Sequence, residues 1–451
     1  MTKEARSPND EEAREKPSSF LRAASFGFAV FIILAFYGWV AYARHDVIPM
    51  PLSQGDQAAY LAYARQMHNT HYTVAGDRNR MPVFPFLLSL VYRPGLSNAE
   101  FLARAQSFNI NLSILLLGLL FLVLRRFFAS FYSAALLVVA AFGVFVYRAG
   151  TVEVEPLYYF LSFCAFVLLV RMLIAPQWWL AILAGAVMAL AYLTKASMLP
   201  TIAIWSVVFA AQALWECRAR MRRREIGRRI GHFLLVLGTF GVMIFPYERT
   251  SNRLYGHYFF NVNSAYYMWC DSWPEAVALT KAYRDNPDLP PDQLPSPAKY
   301  WREHSAAQMA GRFLHGLKTF ATRSAKLAGY YKFVLFFVLS GIVLSARKWA
   351  LAQRLIGREF SAATFCFLFF FCYLLLYAWY DAVVTDSRFV LSLFLPFLFV
   401  ASKCVLGLEE ARSFTIMRRR LSFTDLVAAS LICLALIDVA YNLLRIGRLI
   451  S

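Results

Sequence analysis

The chain has 451 residues, of which 59% are hydrophobic, 17% aromatic and 16% charged. A soluble protein has about a quarter of its residues charged and cannot bury so much apolar surface, so the composition excludes a soluble globular protein. The formal net charge of +19 would suggest nucleic-acid binding in a soluble protein, but in a membrane protein it reflects basic cytoplasmic loops. The composition predicts an all-α, polytopic membrane protein.

Apolar segments of about 20 residues, long enough to cross a bilayer, recur along the chain. A charged segment without apolar periodicity, residues 1–19, precedes them and is predicted to be a disordered cytoplasmic tail. The apolar segments predict about eleven transmembrane helices within residues 20–444, followed by a short external tail at 445–451. In chain order they are 20–43, 99–124, 130–147, 156–171, 178–194, 197–216, 231–247, 327–346, 360–380, 389–408 and 424–444.

Clusters of basic residues set the predicted orientation, because Lys and Arg accumulate in the cytoplasmic loops of membrane proteins. The clusters are Arg125-Arg126, the run 218–229, Arg347-Lys348 and Arg418-Arg419-Arg420. If the helices cross alternately, all of these clusters fall on the side of the N-terminus, which is therefore predicted to be cytoplasmic. Two long loops, 44–98 and 248–326, are then external, and we expect the function to reside there.

Charged residues at the external helix ends are candidates for chemistry. External loops are normally depleted in Lys and Arg, so the basic residues found there predict a bound anion. They are Arg65, Arg78, Arg80, Arg148, Lys195, Arg249, Arg253 and Arg388. Lys195 stands out because it ends an apolar segment, although a lysine that snorkels to the interface without a ligand explains its position equally well.

Five acidic residues stand at the same predicted boundary, where an unpaired carboxylate is costly: Asp56, Glu153, Glu155, Asp381 and Asp386. Asp56 precedes the amphipathic sequence QAAYLAYARQM, so it is interpreted either as a helix N-cap or as a functional group. Glu153 and Glu155 share a face of an extended segment but diverge by about 200° once a helix has begun, so at most one is expected to join Asp56. The histidines and cysteines show no metal-binding spacing, and no metal site is predicted.

Six short motifs follow one another in a fixed order on one predicted side of the membrane. They are the helix GDQAAYLAYARQM, the segment Arg80-Met-Pro-Val-Phe-Pro, Glu155-Pro156-Leu157, Leu193-Thr194-Lys195, Pro246-Tyr247-Glu248-Arg249 with Asn252, and Arg388-Phe389 with Pro396. Together they resemble the GT-C integral-membrane glycosyltransferases, in particular the bacterial branch similar to protein O-mannosyltransferases and the aminoarabinose transferase of lipid A. The chain differs from the family pattern at Tyr247, where Trp is usual, and by two residues inserted before Asn252.

The resemblance implies a GT-C-type helical bundle with external amphipathic helices. It also implies an enzyme that transfers a sugar from a polyprenyl-phosphate donor to a glycan, lipid or protein acceptor, with inversion. The reaction is expected on the external, periplasmic face of a bacterial inner membrane. No cofactor and no nucleic-acid partner are expected, and nothing in the sequence indicates a divalent cation.

The resemblance further assigns roles to residues of this chain. Asp56 is expected to be the general base assisted by Glu155, the donor phosphate is expected to bind Lys195, Arg388 and Arg80, and Tyr60, Glu153 and Arg249 are expected to contact substrate. Two other classes stay open. A flippase for lipid-linked sugars should show internal repeats or paired broken helices, which we do not find in the sequence. A non-catalytic scaffold leaves the external charges unexplained.

Overall fold

The structure is a computed structural model that describes residues 19–48, 50–73, 76–218, 223–285, 290, 293–327, 330–409, 413–416 and 419–450. Within these ranges the chain is helical apart from turns and one antiparallel hairpin, which pairs Ser413–Ile416 (β1) with Arg419–Ser422 (β2). The predicted helical architecture is therefore confirmed. The tail predicted at 1–19 lies outside the described residues except for Ser19, which begins the first helix.

The described residues form eighteen α-helices. In chain order they are α1 Ser19–Val47, α2 Gln57–Asn69, α3 Val83–Ser89, α4 Asn98–Leu124, α5 Ser130–Gly143, α6 Glu155–Ile174, α7 Trp178–Thr194, α8 Leu199–Arg218, α9 Arg223–Tyr255, α10 Val262–Ala265, α11 Trp273–Asp285, α12 Pro297–Glu303, α13 Ala306–Leu327, α14 Tyr331–Arg347, α15 Trp349–Arg358, α16 Phe360–Tyr380, α17 Ser387–Glu409 and α18 Phe423–Ile450.

Nine helices of the described chain are long and apolar enough to cross a membrane. The number becomes ten if α14 and α15, which meet at a bend of 106°, are taken together. A multi-pass membrane protein is thus confirmed, whereas the expected count of about eleven spans is not. The difference arises at α7 and α14, which have 17 residues each and lie at the lower limit of length for a membrane span.

Helices extend into the segments predicted as loops and tail. In 44–98, the buried residues of the amphipathic helix α2 recur at intervals of three and four. They therefore form one face of the helix, and this face packs against the bundle. In 248–326, α9 continues past Pro246 to Tyr255, and α10 to α13 follow. At the C-terminus, α18 runs to Ile450 through most of the predicted tail 445–451, and Ile446 is buried there.

Close packing of α7 against α9 depends on a glycine. A Cβ atom added at Gly185 would lie 2.5 Å from the carbonyl oxygen of Val236 and 2.8 Å from Cβ of Thr239. Both distances are far shorter than a van der Waals contact, so any larger side chain has to push the two helices apart. This contact matters for the functional site because α7 ends next to Lys195.

Gly185→Ala is therefore expected to destabilise the protein, since overpacking of this kind costs about 1–3 kcal/mol. The matched control is Gly238→Ala on α9, where an added Cβ meets no atom within 4 Å. Alanine favours a helix over glycine by about 1 kcal/mol, so the control should keep or raise the melting temperature. Thermal unfolding of the two variants in detergent checks this. A Gly185→Ala protein as stable as wild type would contradict the close contact.

Candidate functional site

Charged side chains converge where several helices begin or end on one face of the bundle. We call them the charged cluster; its members are Asp56, Asp77, Arg80, Arg148, Glu153, Glu155, Lys195, Asp386 and Arg388. Proline fixes two of these helix boundaries, because it suits the first turn of a helix. Pro156 follows Glu155 at the start of α6, and Pro200 stands in the first turn of α8, shortly after Lys195.

Arg388 links the two predicted catalytic carboxylates. Its Nη1 atom lies 3.4 Å from Oδ2 of Asp56 and 3.7 Å from Oε1 of Glu155. Its Nε atom lies 3.3 Å from Oδ2 of Asp386, which precedes it by two residues. One guanidinium group at the start of α17 therefore holds carboxylates from α2 and α6 at the same place.

Asp56 stands at the N-cap position of α2, but its side chain makes no capping hydrogen bond. Instead, its Oδ1 atom accepts a hydrogen bond of 2.7 Å from Nη2 of Arg80, and its Oδ2 atom faces Arg388. Asp77 supports this arrangement, because its Oδ1 atom accepts hydrogen bonds from the backbone N–H groups of Asn79 and Arg80. The interpretation of the Asp56 side chain as a simple helix cap is therefore wrong.

Lys195 points into the protein. Its Nζ atom donates a hydrogen bond of 3.0 Å to Oε1 of Glu155, a residue that is 1% exposed. The ammonium group also lies over the rings of Tyr158 and Phe389, 5.5 Å and 5.7 Å from their centroids. A lysine that merely snorkels to water would not be directed at a buried carboxylate, so the structure favours the functional interpretation of its position.

Glu153 also reaches the cluster, although only one of the two glutamates was expected to do so. Residues 151–154 are not helical, and Glu153 pairs with Arg148 at 3.0 Å, while Arg148 in turn contacts Asp386 at 2.9 Å. A Cβ atom added at Gly55 would lie 3.1 Å from Oε1 of Glu153. Burial, and then the nearby Glu155 carboxylate, raise the pKa of Glu153 above its usual value.

The two remaining predicted contacts behave differently. Tyr60 is buried beneath Arg80, whose guanidinium carbon lies 5.6 Å from the ring centroid. Burial, and then the carboxylates of Glu155 and Asp56, raise the pKa of the Tyr60 hydroxyl well above its usual value, so the hydroxyl stays protonated. Arg249, by contrast, is exposed on α9 and forms no ion pair with any described residue. The neighbouring Glu248 turns inward instead and accepts a hydrogen bond from Tyr192.

The segments 44–98 and 248–326, which were predicted to be external, together fix the position of Arg80. The backbone N–H of Val262 donates to the carbonyl oxygen of Arg78 at 2.9 Å, and the Asn261 side chain donates to the carbonyl oxygen of Asn79 at 2.9 Å. The Asn263 amide hydrogen-bonds to the Asn79 side chain and accepts from the hydroxyl of Tyr380 at 3.2 Å. Residues of the segment 248–326 thus hold the loop that carries Arg80.

The cluster combines carboxylates that can accept a proton with cations that can bind an anion. The Nε–H group of Arg80 is buried and makes no hydrogen bond with the described residues, whereas Nε of Arg388 lies against the Asp386 carboxylate. Among the described residues, no group of three or more His, Cys, Asp or Glu side chains is placed to hold a metal ion. The sequence indicated Arg148 as an external cation and Asp386 as an external acid, but it assigned neither residue a role in the site.

Comparison with known proteins does not extend this account, since no family model, curated protein or solved structure matches the chain.

The pair of Lys195 and Glu155 makes a testable contribution to stability. Breaking a buried ion pair costs about 3–5 kcal/mol, and Arg388 offsets part of this, so Lys195→Met is expected to lower the melting temperature by several degrees. The double variant Lys195→Met/Glu155→Gln should recover part of the loss, because it leaves no unpaired charge. Arg249→Met serves as the control and should unfold like wild type. If Lys195→Met also unfolded like wild type, Lys195 would be a snorkelling residue.

Proposed function

We propose that this protein is a GT-C-type glycosyltransferase that moves a sugar from a polyprenyl-phosphate donor to an acceptor hydroxyl. One observation carries the proposal: Arg388 joins the carboxylate of Asp56, which precedes the amphipathic helix α2, to that of Glu155, which begins the apolar helix α6, with Lys195 and Arg80 beside them. A lipid-linked phosphate reaches helix ends from within the membrane. The arrangement therefore supports a reaction between a lipid phosphate and a group in the aqueous phase.

The chemistry requires a base on one side of the sugar and positive charge on the other. The acceptor hydroxyl oxygen attacks the anomeric carbon while Asp56 takes its proton. The bond from the anomeric carbon to the phosphate oxygen breaks, and its electron pair leaves with the lipid phosphate. Arg388 and Lys195, which face carboxylates in this structure, supply positive charge to that phosphate and stabilise the charge that develops. Attack opposite the leaving group inverts the anomeric centre.

We further propose that the chain crosses the membrane eleven times, with the charged cluster on the external, periplasmic side of a bacterial inner membrane. The contact between Lys195 and Glu155 supports a crossing by α7, because it brings the end of α7 back to the start of α6. For α14, the support is that Lys332 pairs with Asp438 at its first turn and Lys348 pairs with Glu409 just after its last. The basic clusters then lie on the cytoplasmic side.

A flippase for the same lipid is the alternative. Transporters bind their substrate near the bilayer midplane between paired broken helices. The charged cluster lies instead at helix ends, which favours the transferase. An assay of the transferred sugar also separates the two functions, because moving a lipid across the membrane involves no deprotonation of an acceptor hydroxyl.

Asp56→Asn is expected to lower transfer by about 10²–10⁴-fold, because the amide keeps the shape of the side chain but cannot take the hydroxyl proton. The control is Asp425→Asn, since Asp425 lies in the first turn of α18, accepts hydrogen bonds from Ser422 and is not a member of the charged cluster. Mass analysis of glycolipids and glycoproteins from a deletion strain, complemented with each variant, measures the outcome. Full restoration by Asp56→Asn at wild-type protein levels would refute the assignment of Asp56 as the base.

A further inference from the structure

The helix α15 (Trp349–Arg358) lies at the opposite end of the bundle from the charged cluster. It follows α14 after a bend of 106°, so it runs across the direction of the spans instead of along it. Its ten residues cover about 15 Å, roughly half the thickness of the hydrocarbon core. The helix is therefore neither a span nor the second half of one.

Two contacts keep α15 at a single level of the bundle. At its start, Nζ of Lys348 lies 2.9 Å from Oε2 of Glu409 and 2.7 Å from the carbonyl oxygen of Leu408. Farther along, Cδ1 of Leu355 lies 3.5 Å from the position of a Cβ atom at Gly407. Lys348 and Leu355 thus both contact the last turn of α17, although they are seven residues apart. The helix α15 therefore stays at the level of that turn and lies in the plane of the membrane surface.

The free surface of α15 has two different sides. At 100° per residue, Trp349 and Ile356 project within about 20° of each other, and both side chains are more than half exposed. Arg354 and Arg358 project together on roughly the opposite side and are also exposed. Neither arginine has a carboxylate of the described residues within ion-pairing distance. An in-plane helix with this division buries its apolar side among acyl chains and presents its cations to headgroups.

We propose that α15 is an interfacial helix that binds the phosphate groups of anionic phospholipids through Arg354 and Arg358, in the leaflet opposite the charged cluster. Charge complementarity identifies the ligand as an anionic lipid, because a helix with unpaired cations on one side and an exposed tryptophan on the other suits a negatively charged lipid surface. Arg347 and Lys348 add positive charge immediately before the helix. Because α15 packs on the last turn of α17, lipid binding to α15 also holds the end of α17 that is farthest from Arg388.

The test measures lipid preference and needs no transferase activity, so its failure is distinct from failure of the proposed function. Full-length protein is purified in neutral detergent and titrated with phosphatidylglycerol or phosphatidylcholine, and bound lipids are counted by native mass spectrometry. Wild type should prefer phosphatidylglycerol. In Arg354→Gln/Arg358→Gln the preference should fall by about fivefold for each charge removed.

The control is Arg302→Gln/Lys318→Gln, which removes two exposed cations from α12 and α13. This control variant should keep the wild-type preference for phosphatidylglycerol. The conservative variant Arg354→Lys/Arg358→Lys should keep most of that preference, which would also show that the site tolerates substitution. An unchanged preference in Arg354→Gln/Arg358→Gln would overturn the proposal and leave α15 as a surface for a protein partner. An equal loss in the control would overturn it as well, because the effect would then reflect overall charge.

Discussion

The pairing of buried carboxylates with cations at the membrane boundary is the constraint on which the rest of this structure depends. Glu155 is 1% exposed at the start of an apolar helix, where a lone carboxylate is costly. Lys195 and Arg388 compensate it, and Arg388 reaches on to Asp56. Because these residues come from α2, α6, α17 and the break before α8, satisfying one charge fixes the relative positions of four parts of the chain.

The same requirement explains the role of the segments 44–98 and 248–326. Arg80 belongs to a loop without regular structure, yet its partner Asp56 needs it at a fixed distance. Hydrogen bonds from Asn261 and Asn263 hold that loop, and Tyr380 connects them to the end of α16. The ring of Tyr380 packs edge-on against Phe389, the residue after Arg388. Contacts made by the segment 248–326 therefore help to position both arginines that face Asp56.

Much of this site was predictable because charge at an apolar helix end is rare and visible in sequence. Glu155, Lys195 and Arg388 could be selected in this way, whereas Asp56 and Arg80 were selected from their sequence motifs. Arg249 could not be rejected, since α9 continues to Tyr255 and neighbouring residues of a helix differ by 100° in direction. That rotation turns Glu248 inward and Arg249 outward. The in-plane helix α15 was also missed, because ten amphipathic residues between two apolar segments look like a basic loop.

We propose that Lys195 and Arg388 bind a lipid phosphate. The most direct test of this proposal measures the affinity of a short-chain polyprenyl phosphate for the purified protein. Lys195→Ala and Arg388→Ala should each weaken binding by about tenfold or more, because each removes a charge-assisted hydrogen bond from a partly dehydrated site. Arg249→Ala should bind like wild type, and melting temperatures recorded in parallel identify misfolded variants. Unchanged affinity in folded Lys195→Ala and Arg388→Ala would contradict the account.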